Sequence, residues 1–467
     1  MSIKRKFTTI LGIGSLLLLL SALFSGAVLG NDDEGSAPPL NLTPFSRVAV
    51  IGPVADPGDA YGEAEEVATA IATYVADVND KVVNGFDADW ILGGFEFEGD
   101  PEDPGYEEAI EEAILRVPTP YKIDPDDPES ARKKVNIVEM CNPLFAKKAL
   151  GVESIVGDTK IINGYIHAPA LPCEVAIYAD EDGYIIVEML NPEAIFTLFF
   201  TDVLFGEQMD DPEFADAIQA LPAQVNNEIR TIISSALEGE GILEEPIPLG
   251  PVYQSLKQVA KVVEETPFES PYAHFIYKKR DGSDFSPDEF TAVAGAIVDT
   301  LTLDGIHKPG LDRRLNMDDW RSARPAPLPI PGNLVIEACS PTNAIAAMGL
   351  GMEHATALPC EIAVKVLNKD GVDGNEILMI TYLDPHFMFS ALFSDAFDEL
   401  DDEELEDLLA LPPMVLEDLQ TIVKTALRKK NLGYRLTRPK QVFFDMLPAE
   451  DDDDDDDSDD DDSDDDD

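Results

Sequence analysis

Four sequence blocks occur twice in this 467-residue chain, in the same order and with short insertions between them. The segment VNIVEMCNP from Val135 corresponds to NLVIEACSP from Asn333, and HAPALPCEVAIY from His167 corresponds to HATALPCEIAVK from His354. The third pair is LNPEAIFTLFFTD with LDPHFMFSALFSD, and the fourth is LPAQVNNEIRTIISSAL with LPPMVLEDLQTIVKTAL. Blocks that recur in a fixed order predict a tandem duplication, so the chain is expected to fold as two copies of one module.

Hydrophobic periodicity within the blocks predicts mixed strands and helices. Strands are expected at RVAVIG from Arg47 and at HFIYKK from His274, and each is followed by apolar residues at helical spacing, at 63–78 and 287–301. The segments VNIVEM, EVAIYA and YIIVEML and their second-copy counterparts are typical of strands. The fold class predicted is therefore α+β, with two tandem repeats that each form an antiparallel sheet backed by helices.

Proline dipeptides predict further helices in each copy. A Phe-rich helix is expected after Asn191-Pro192 and again after Asp384-Pro385. A second helix is expected after Leu221-Pro222 in the first copy and after the matching Leu-Pro in the second. Three interpretations of the Phe-rich surfaces stay open, which are packing on the sheet, contact between the two copies, and a pocket for an apolar ligand.

The N-terminus predicts export. Basic residues at 4–6 precede an apolar run and then small residues, which is the order of a secretory signal peptide. An uncleaved membrane anchor is the alternative, but Ser and Gly interrupt the run and no basic stop-transfer cluster follows it. The sequence therefore predicts a periplasmic or extracellular protein. The predicted organisation is a signal peptide at 1–30, a polar leader at 31–44, a first module at 45–240, a linker at 241–269, a second module at 270–446 and a disordered poly-Asp tail at 447–467.

The charge balance excludes some classes of partner. The chain has 92 Asp and Glu residues against 33 Lys and Arg, a formal net charge of -59, while 45% hydrophobic residues are enough for a packed core. So acidic a chain is not expected to bind nucleic acid or an anionic membrane surface. The tail is interpreted as a solubilising brush, as a loose collector of calcium, or as an attractor of a basic protein partner.

The ordered motifs carry a family resemblance. A strand that ends in Cys-x-Pro, followed by a short helix and then Leu-Pro-Cys at the start of a strand, resembles the domain-of-unknown-function 302 family. The pattern is present at Cys141 with Cys173 and again at Cys339 with Cys360. The resemblance implies a two-layer fold like that of the TATA-binding protein, in a family without an established function.

Cysteine and histidine mark the candidate site. All four Cys residues and two of the five His residues, His167 and His354, occupy matching positions in the two copies. One interpretation is a disulfide within each copy, Cys141–Cys173 and Cys339–Cys360, as suits an exported protein. Another is a transition-metal site for copper, zinc or haem iron that uses these Cys and His residues as ligands. Buried free thiols, or thiol chemistry on sulfur compounds, are the remaining alternatives.

Motifs of common enzymes are missing from the chain. It has no nucleophile elbow, phosphate-binding glycine loop, zinc-protease motif or dinucleotide fingerprint. The sequence therefore favours an exported, non-catalytic binding protein for a small ligand or a protein partner. The alternative function is an extracytoplasmic thiol-redox or metal-binding protein. Neither the ligand nor the oligomeric state follows from the sequence.

Overall fold

The chain is an α+β protein with antiparallel sheets and helices. The computed structural model describes residues 44–429 with gaps, of which the longer ones are 93–103, 243–270, 303–320 and 369–375. The predicted signal peptide, most of the leader and linker, and the poly-Asp tail therefore lie outside the described residues. Below, the first half denotes residues 45–240 and the second half residues 270–446.

Both halves contain helices. They are α1 (Ala60–Asp77), α2 (Pro104–Ala113), α3 (Pro143–Leu150), α4 (Pro192–Phe199), α5 (Pro212–Gly239), α6 (Pro287–Thr302), α7 (Pro341–Met348), α8 (Pro385–Leu392) and α9 (Asp402–Lys429). Three 3-10 segments accompany them. They are the His167 segment (Asn163–Ala170), a short turn at Glu207–Asp210 and the His354 segment (Met352–Ala357).

The strands belong to two larger sheets and three small ribbons. Strands of the first half are β1 (Phe45–Ile51), β2 (Val82–Val83), β3 (Phe86–Asp87), β4 (Ile91–Leu92), β5 (Ile114–Lys122), β6 (Arg132–Cys141), β7 (Glu153–Val156), β8 (Thr159–Ile162), β9 (Cys173–Ala179) and β10 (Ile185–Leu190). Strands of the second half are β11 (Tyr272–Tyr277), β12 (Arg321–Ser322), β13 (Ala326–Pro327), β14 (Asn333–Ile336), β15 (Ala338–Cys339), β16 (Ile362–Asn368) and β17 (Glu376–Leu383).

Each half has one of the two larger antiparallel sheets. The first sheet has the order β1-β10-β9-β6-β4, with β5 also paired to β6, and the second has the order β11-β17-β16-β14-β13. Helix α1 packs against β6, β9 and β10, while α6 packs against β14, β16 and the long helix α9. The His354 segment contacts the first sheet, and the His167 segment contacts the second. Each sheet therefore has helices on one face and a segment from the other half of the chain on its opposite face.

The predicted starts of several elements agree with the structure. Asn191 and Asp384 each cap the helix that follows, because their side-chain oxygens accept the backbone N–H two residues later. Ser286 and Glu289 form a reciprocal capping box at the start of α6. These caps explain why α4, α6 and α8 begin at the prolines that the sequence analysis used as start signals.

The predicted start of the second long helix was wrong. The structure begins α5 at Pro212 and α9 at Asp402, so that Pro222 and Pro412 lie inside these helices. Asp211 supplies the cap of α5, with its carboxylate accepting the N–H of Glu213. Burial of a long apolar face along α5 offsets the hydrogen bond that an internal proline removes.

No helix within the described parts of residues 44–429 is long and apolar enough to cross a membrane.

Candidate functional site

Two stacks of aromatic rings join the halves. The His167 ring stacks on Phe200 with 4.2 Å between ring centroids, and Phe200 stacks on Phe196 at 4.3 Å. The edge of His167 meets Tyr272 of β11, 5.6 Å away, and the Tyr272 hydroxyl donates to the carbonyl of Phe199 at 2.8 Å. This first stack therefore contacts the opening strand of the second half.

A corresponding stack in the second half contacts the opening strand of the first half. His354 stacks on Phe393 at 4.3 Å, Phe393 stacks on Phe389 at 4.4 Å, and His354 also meets Phe45 of β1 at 5.2 Å. Both histidines are fully buried. Each imidazole thus packs between a Phe-rich helix of its own half and the first strand of the other half, which is the environment of an aromatic core contact.

Four glutamates form a buried cluster where the halves meet. Glu139 of β6 lies opposite Glu174 of β9 in the strand register of the first sheet. Glu337 and Glu361 come from the second half, between β14 and β15 and just before β16. Glu139, Glu174 and Glu361 are at most 8% exposed, and Glu337 is partly buried. We call these four residues the carboxyl cluster.

The carboxyl cluster favours protonated side chains. Burial, together with the neighbouring carboxyls, raises the pKa of Glu174 and of Glu361 well above the usual value. Burial likewise raises the pKa of Glu139 and Glu337, which form a side-chain hydrogen bond with each other. The pKa of Glu337 is raised further by its partner Glu139, so we assign Glu337 as the protonated donor and Glu139 as the acceptor.

Each sheet also carries other buried polar groups. On the first sheet the Tyr178 hydroxyl donates to Glu188 at 2.7 Å, and Arg47 lies 3.6 Å from the same carboxylate. On the second sheet His274 shares a 2.9 Å hydrogen bond with Thr381. Burial first, and then Lys365 and His167, lower the pKa of His274 to about 3.

A small apolar pocket, with a cavity volume of about 50 Å³, lies in the first half. Helices α3, α4 and α5 supply about half of its lining, and the ends of β6, β9 and β10 supply part of the rest, together with Trp90, Asn142, Ala170 and Leu171. Trp90, Phe145 and Phe196 are the aromatic side chains of the lining. Apolar walls with a few polar groups are typical of sites for small ligands.

Three polar side chains line this pocket, and one of them, Asn142, is already hydrogen-bonded within the protein. Asn142 accepts from the N–H groups of Leu144 and Phe145 at 2.9 and 3.3 Å, which caps α3, and its amide donates to Glu228. Cys141 carries a neutral thiol. Glu174, which also belongs to the carboxyl cluster, has a buried Oε2 atom without a hydrogen-bond partner among the described residues.

The described residues do not support the predicted disulfides. Cys141 is a buried free thiol, and Cys173 pairs with Met140 rather than with Cys141 in the register of β6 and β9. Cys339 is buried and pairs with Arg321 in β12. Cys360 and the side chain of Cys173 lie outside the described residues, so both pairings stay predictions.

Cys141 is expected to resist alkylation in the native protein. Burial, with Glu139 and Glu361 nearby, raises the pKa of its thiol to about 12, so the reactive thiolate is scarce near neutral pH. Iodoacetamide should label Cys141 at least ~100-fold more slowly in the native than in the unfolded protein, as read by peptide mass spectrometry.

The matched control for this experiment is Leu144→Cys, because Leu144 lies three residues away and is 44% exposed. That cysteine should label rapidly. Equal labelling rates at positions 141 and 144 would contradict the buried, neutral thiol. If Cys141 labels in the unfolded chain only after reduction, the predicted disulfide regains support.

The predicted metal site finds no support in the described part of the chain. There, no group of three or more His, Cys, Asp and Glu side chains is arranged to hold a metal ion. His167 and His354 instead face aromatic rings. Cys360 and the Cys173 side chain stay outside this test, as does the tail on which calcium binding was predicted.

The carboxyl cluster is the feature that sequence reasoning missed. Its four residues occupy matching positions, Glu139 with Glu337 and Glu174 with Glu361, and each lies within a strongly apolar stretch. An acidic residue that recurs inside two otherwise apolar strands is a detectable signal, since carboxylates are rarely buried without a reason. The chain has 92 acidic residues, so these four did not stand out from the others in the sequence.

Comparison of this chain with protein-family models, with curated proteins and with solved structures finds no match, so its site is interpreted from its own chemistry.

Proposed function

We propose that this chain is an exported, non-catalytic binding protein whose ligand site is the apolar pocket of the first half. The observation that carries the proposal is the lining of this pocket, which consists mainly of apolar and aromatic side chains. The Phe-rich helix α4 contributes Ile195 and Phe196 to the lining.

The proposal includes two modules related by duplication and akin to the domain-of-unknown-function 302 family, with its two-layer fold. Its support is the four ordered sequence blocks, together with the order β1-β10-β9-β6 in the first sheet and β11-β17-β16-β14 in the second. The paired aromatic stacks at His167 and His354 are also consistent with it. Export rests on the N-terminal signal, and the acidic tail is proposed as a solubilising segment.

Binding of a neutral apolar dye tests the ligand site. Nile red should bind the wild-type protein with a blue shift in its emission, because the pocket excludes water from the dye. Ala170→Trp should weaken this binding at least ~10-fold, since Ala170 lines the pocket and a Trp side chain would fill much of it. The measurement is a fluorescence titration of the dye.

The control for this variant is Met414→Trp, which adds the same side chain on α9 at a residue that is 38% exposed and belongs to the second half. It should bind Nile red as the wild type does. The ligand-site proposal fails if the wild type gives no saturable binding, or if both Trp variants bind equally well. Mass determination of the N-terminus of the exported protein tests signal cleavage separately.

A further inference from the structure

Glu174 contributes a buried carboxyl group to the wall of the pocket. It is 5% exposed, lines the pocket, and has a carboxyl oxygen, Oε2, for which the described residues supply no hydrogen-bond partner. Asn142 and Trp90 are both bonded to Glu228, with Trp90 Nε1 donating at 2.7 Å, and the neutral thiol of Cys141 is only a weak hydrogen-bonding group. The carboxyl of Glu174 is thus the polar group in this wall that has an atom left to bind a ligand.

The surroundings of Glu174 select the charge of that ligand. Burial, with Glu139 and Glu337 nearby, disfavours the ionised form of Glu174, so a ligand that brings positive charge stabilises this form, whereas an anionic ligand would disfavour it further. No Lys, Arg or His is among the described residues that line the pocket. Trp90, Phe145 and Phe196 add aromatic rings, which attract organic cations.

The described residues also argue for an organic cation over a metal ion. Although four carboxyls meet in the cluster, no set of three acidic, His or Cys side chains there is arranged to hold a metal. The lining around Glu174 is apolar, so the remainder of the ligand must be apolar too. A single buried carboxyl at the wall of an apolar pocket suits a ligand with one cationic head and a hydrocarbon body.

We propose that the pocket binds a hydrophobic amine, with its ammonium group paired to the Glu174 carboxylate and its apolar body against Trp90, Phe145 and Phe196. This inference rests on the proposed function, because it names the ligand class of the same pocket. The ion pair is a charge-assisted hydrogen bond in a water-poor site, and its loss lowers affinity by about tenfold or more.

The experiment compares three probes that share an eight-carbon chain: octylamine, 1-octanol and octanoic acid. Binding to the full chain is measured by isothermal titration calorimetry near pH 7 in about 0.5 M NaCl, where salt screens adsorption of the amine to the acidic surface. Octylamine is expected to bind at least ~10-fold more tightly than octanol, and octanoate more weakly than either.

Glu174→Gln and Glu361→Gln form the matched pair of variants. Both remove one carboxyl from the cluster, but only Glu174 lines the pocket. Glu174→Gln should reduce octylamine affinity at least ~10-fold while leaving octanol and Nile red within about twofold, and Glu361→Gln should leave octylamine within about threefold. Retained binding of octanol and Nile red shows that the Gln variant is folded.

The outcomes separate the two proposals. If Nile red binds but octylamine and octanol bind equally, or if Glu174→Gln leaves the preference for the amine intact, the amine assignment is overturned and the apolar pocket stands. If neither Nile red nor any of the three probes binds the wild type, both the amine assignment and the ligand site are lost.

Discussion

Replacing both Glu139 and Glu337 by glutamine is expected to flatten the pH dependence of stability between about pH 5 and pH 8. Burial raises the pKa of both carboxyls in the folded protein, so the folded state holds protons that the unfolded chain, with a glutamate pKa near 4.3, has released. The stabilisation is fully present below the unfolded pKa and is lost as the pH rises through the folded pKa.

Each proton that the folded state retains contributes a slope of about 1.4 kcal/mol per pH unit, with stability falling as pH rises. We therefore expect the stability of the wild type to fall more steeply with rising pH over this interval than that of the Glu139→Gln/Glu337→Gln protein. The amide side chains keep the size of the carboxyls and can still hydrogen-bond to each other. Urea midpoints followed by circular dichroism at several pH values measure the difference.

Other buried groups titrate as well, and the double variant also reduces the pKa shifts of Glu174 and Glu361, because Glu139 and Glu337 contribute to both. Burial raises the pKa of Glu174 and Glu361, and His274 and Lys365 have pKa values lowered by burial, so these two basic groups lose stability as the pH falls. All four are present in both proteins. Cys141 stays neutral in this range because its pKa is about 12.

The control for the pair is Glu181→Gln/Glu240→Gln, which removes two exposed carboxylates and the same formal charge. Its stability should follow the wild-type pH profile, displaced by a small constant amount. If both double variants keep the wild-type slope, the carboxyl cluster is not protonated in the folded protein, and its assignment here is refuted.

Phe199→Ala is expected to destabilise both halves of the chain. Phe199 is 1% exposed on α4, and its ring lies 5.5 Å from Phe387 and 6.3 Å from Tyr272 of the second half. Truncating a buried Phe to Ala costs about 3–5 kcal/mol, since it removes apolar burial and leaves a cavity. The loss should appear as a lower urea midpoint by circular dichroism.

Hydrogen exchange measures which parts of the chain lose stability in this variant. Amides of β11 (Tyr272–Tyr277) should exchange faster in Phe199→Ala, although the substitution lies in the other half, because the ring packs directly on Tyr272. Leu144→Ala serves as the control, since Leu144 is 44% exposed and its truncation should change stability by no more than about 0.5 kcal/mol. Faster exchange confined to the first half would contradict coupling of the halves through this contact.

Local sequence patterns predicted many of the helices and strands and the residues that cap the helices. The α+β class was predicted correctly, as were the strands at VNIVEM and EVAIYA and the helix starts at Pro192 and Pro287. These features depend on side-chain alternation and on capping residues, which act within a few positions along the chain. The start of α5 was misread because Pro222 was taken as a first-turn proline, although burial of the helix face lets it lie inside.

The alternatives for the Phe-rich helices could be decided only in three dimensions. Packing on the sheet was the default interpretation, yet Phe199 contacts Phe387 across the halves and Phe196 lines the pocket. Periodicity identifies an apolar face but not its partner, since many apolar surfaces satisfy the same burial requirement. For the same reason, the matching positions of His167 and His354 were visible in sequence, whereas their packing against aromatic rings was not.

The amino-acid sequence alone was enough to reveal two ordered sets of matching blocks, the strand and helix content, the strong acidity and the candidate Cys and His residues. Only the tertiary structure brought Glu139, Glu174, Glu337 and Glu361 together and placed Glu174 at the wall of an apolar pocket. The physical reason is the range of the interactions involved. Secondary structure follows from neighbours in the chain, whereas the protonation of a carboxyl and the chemistry of a pocket follow from neighbours in space, which the packing of two sheets determines.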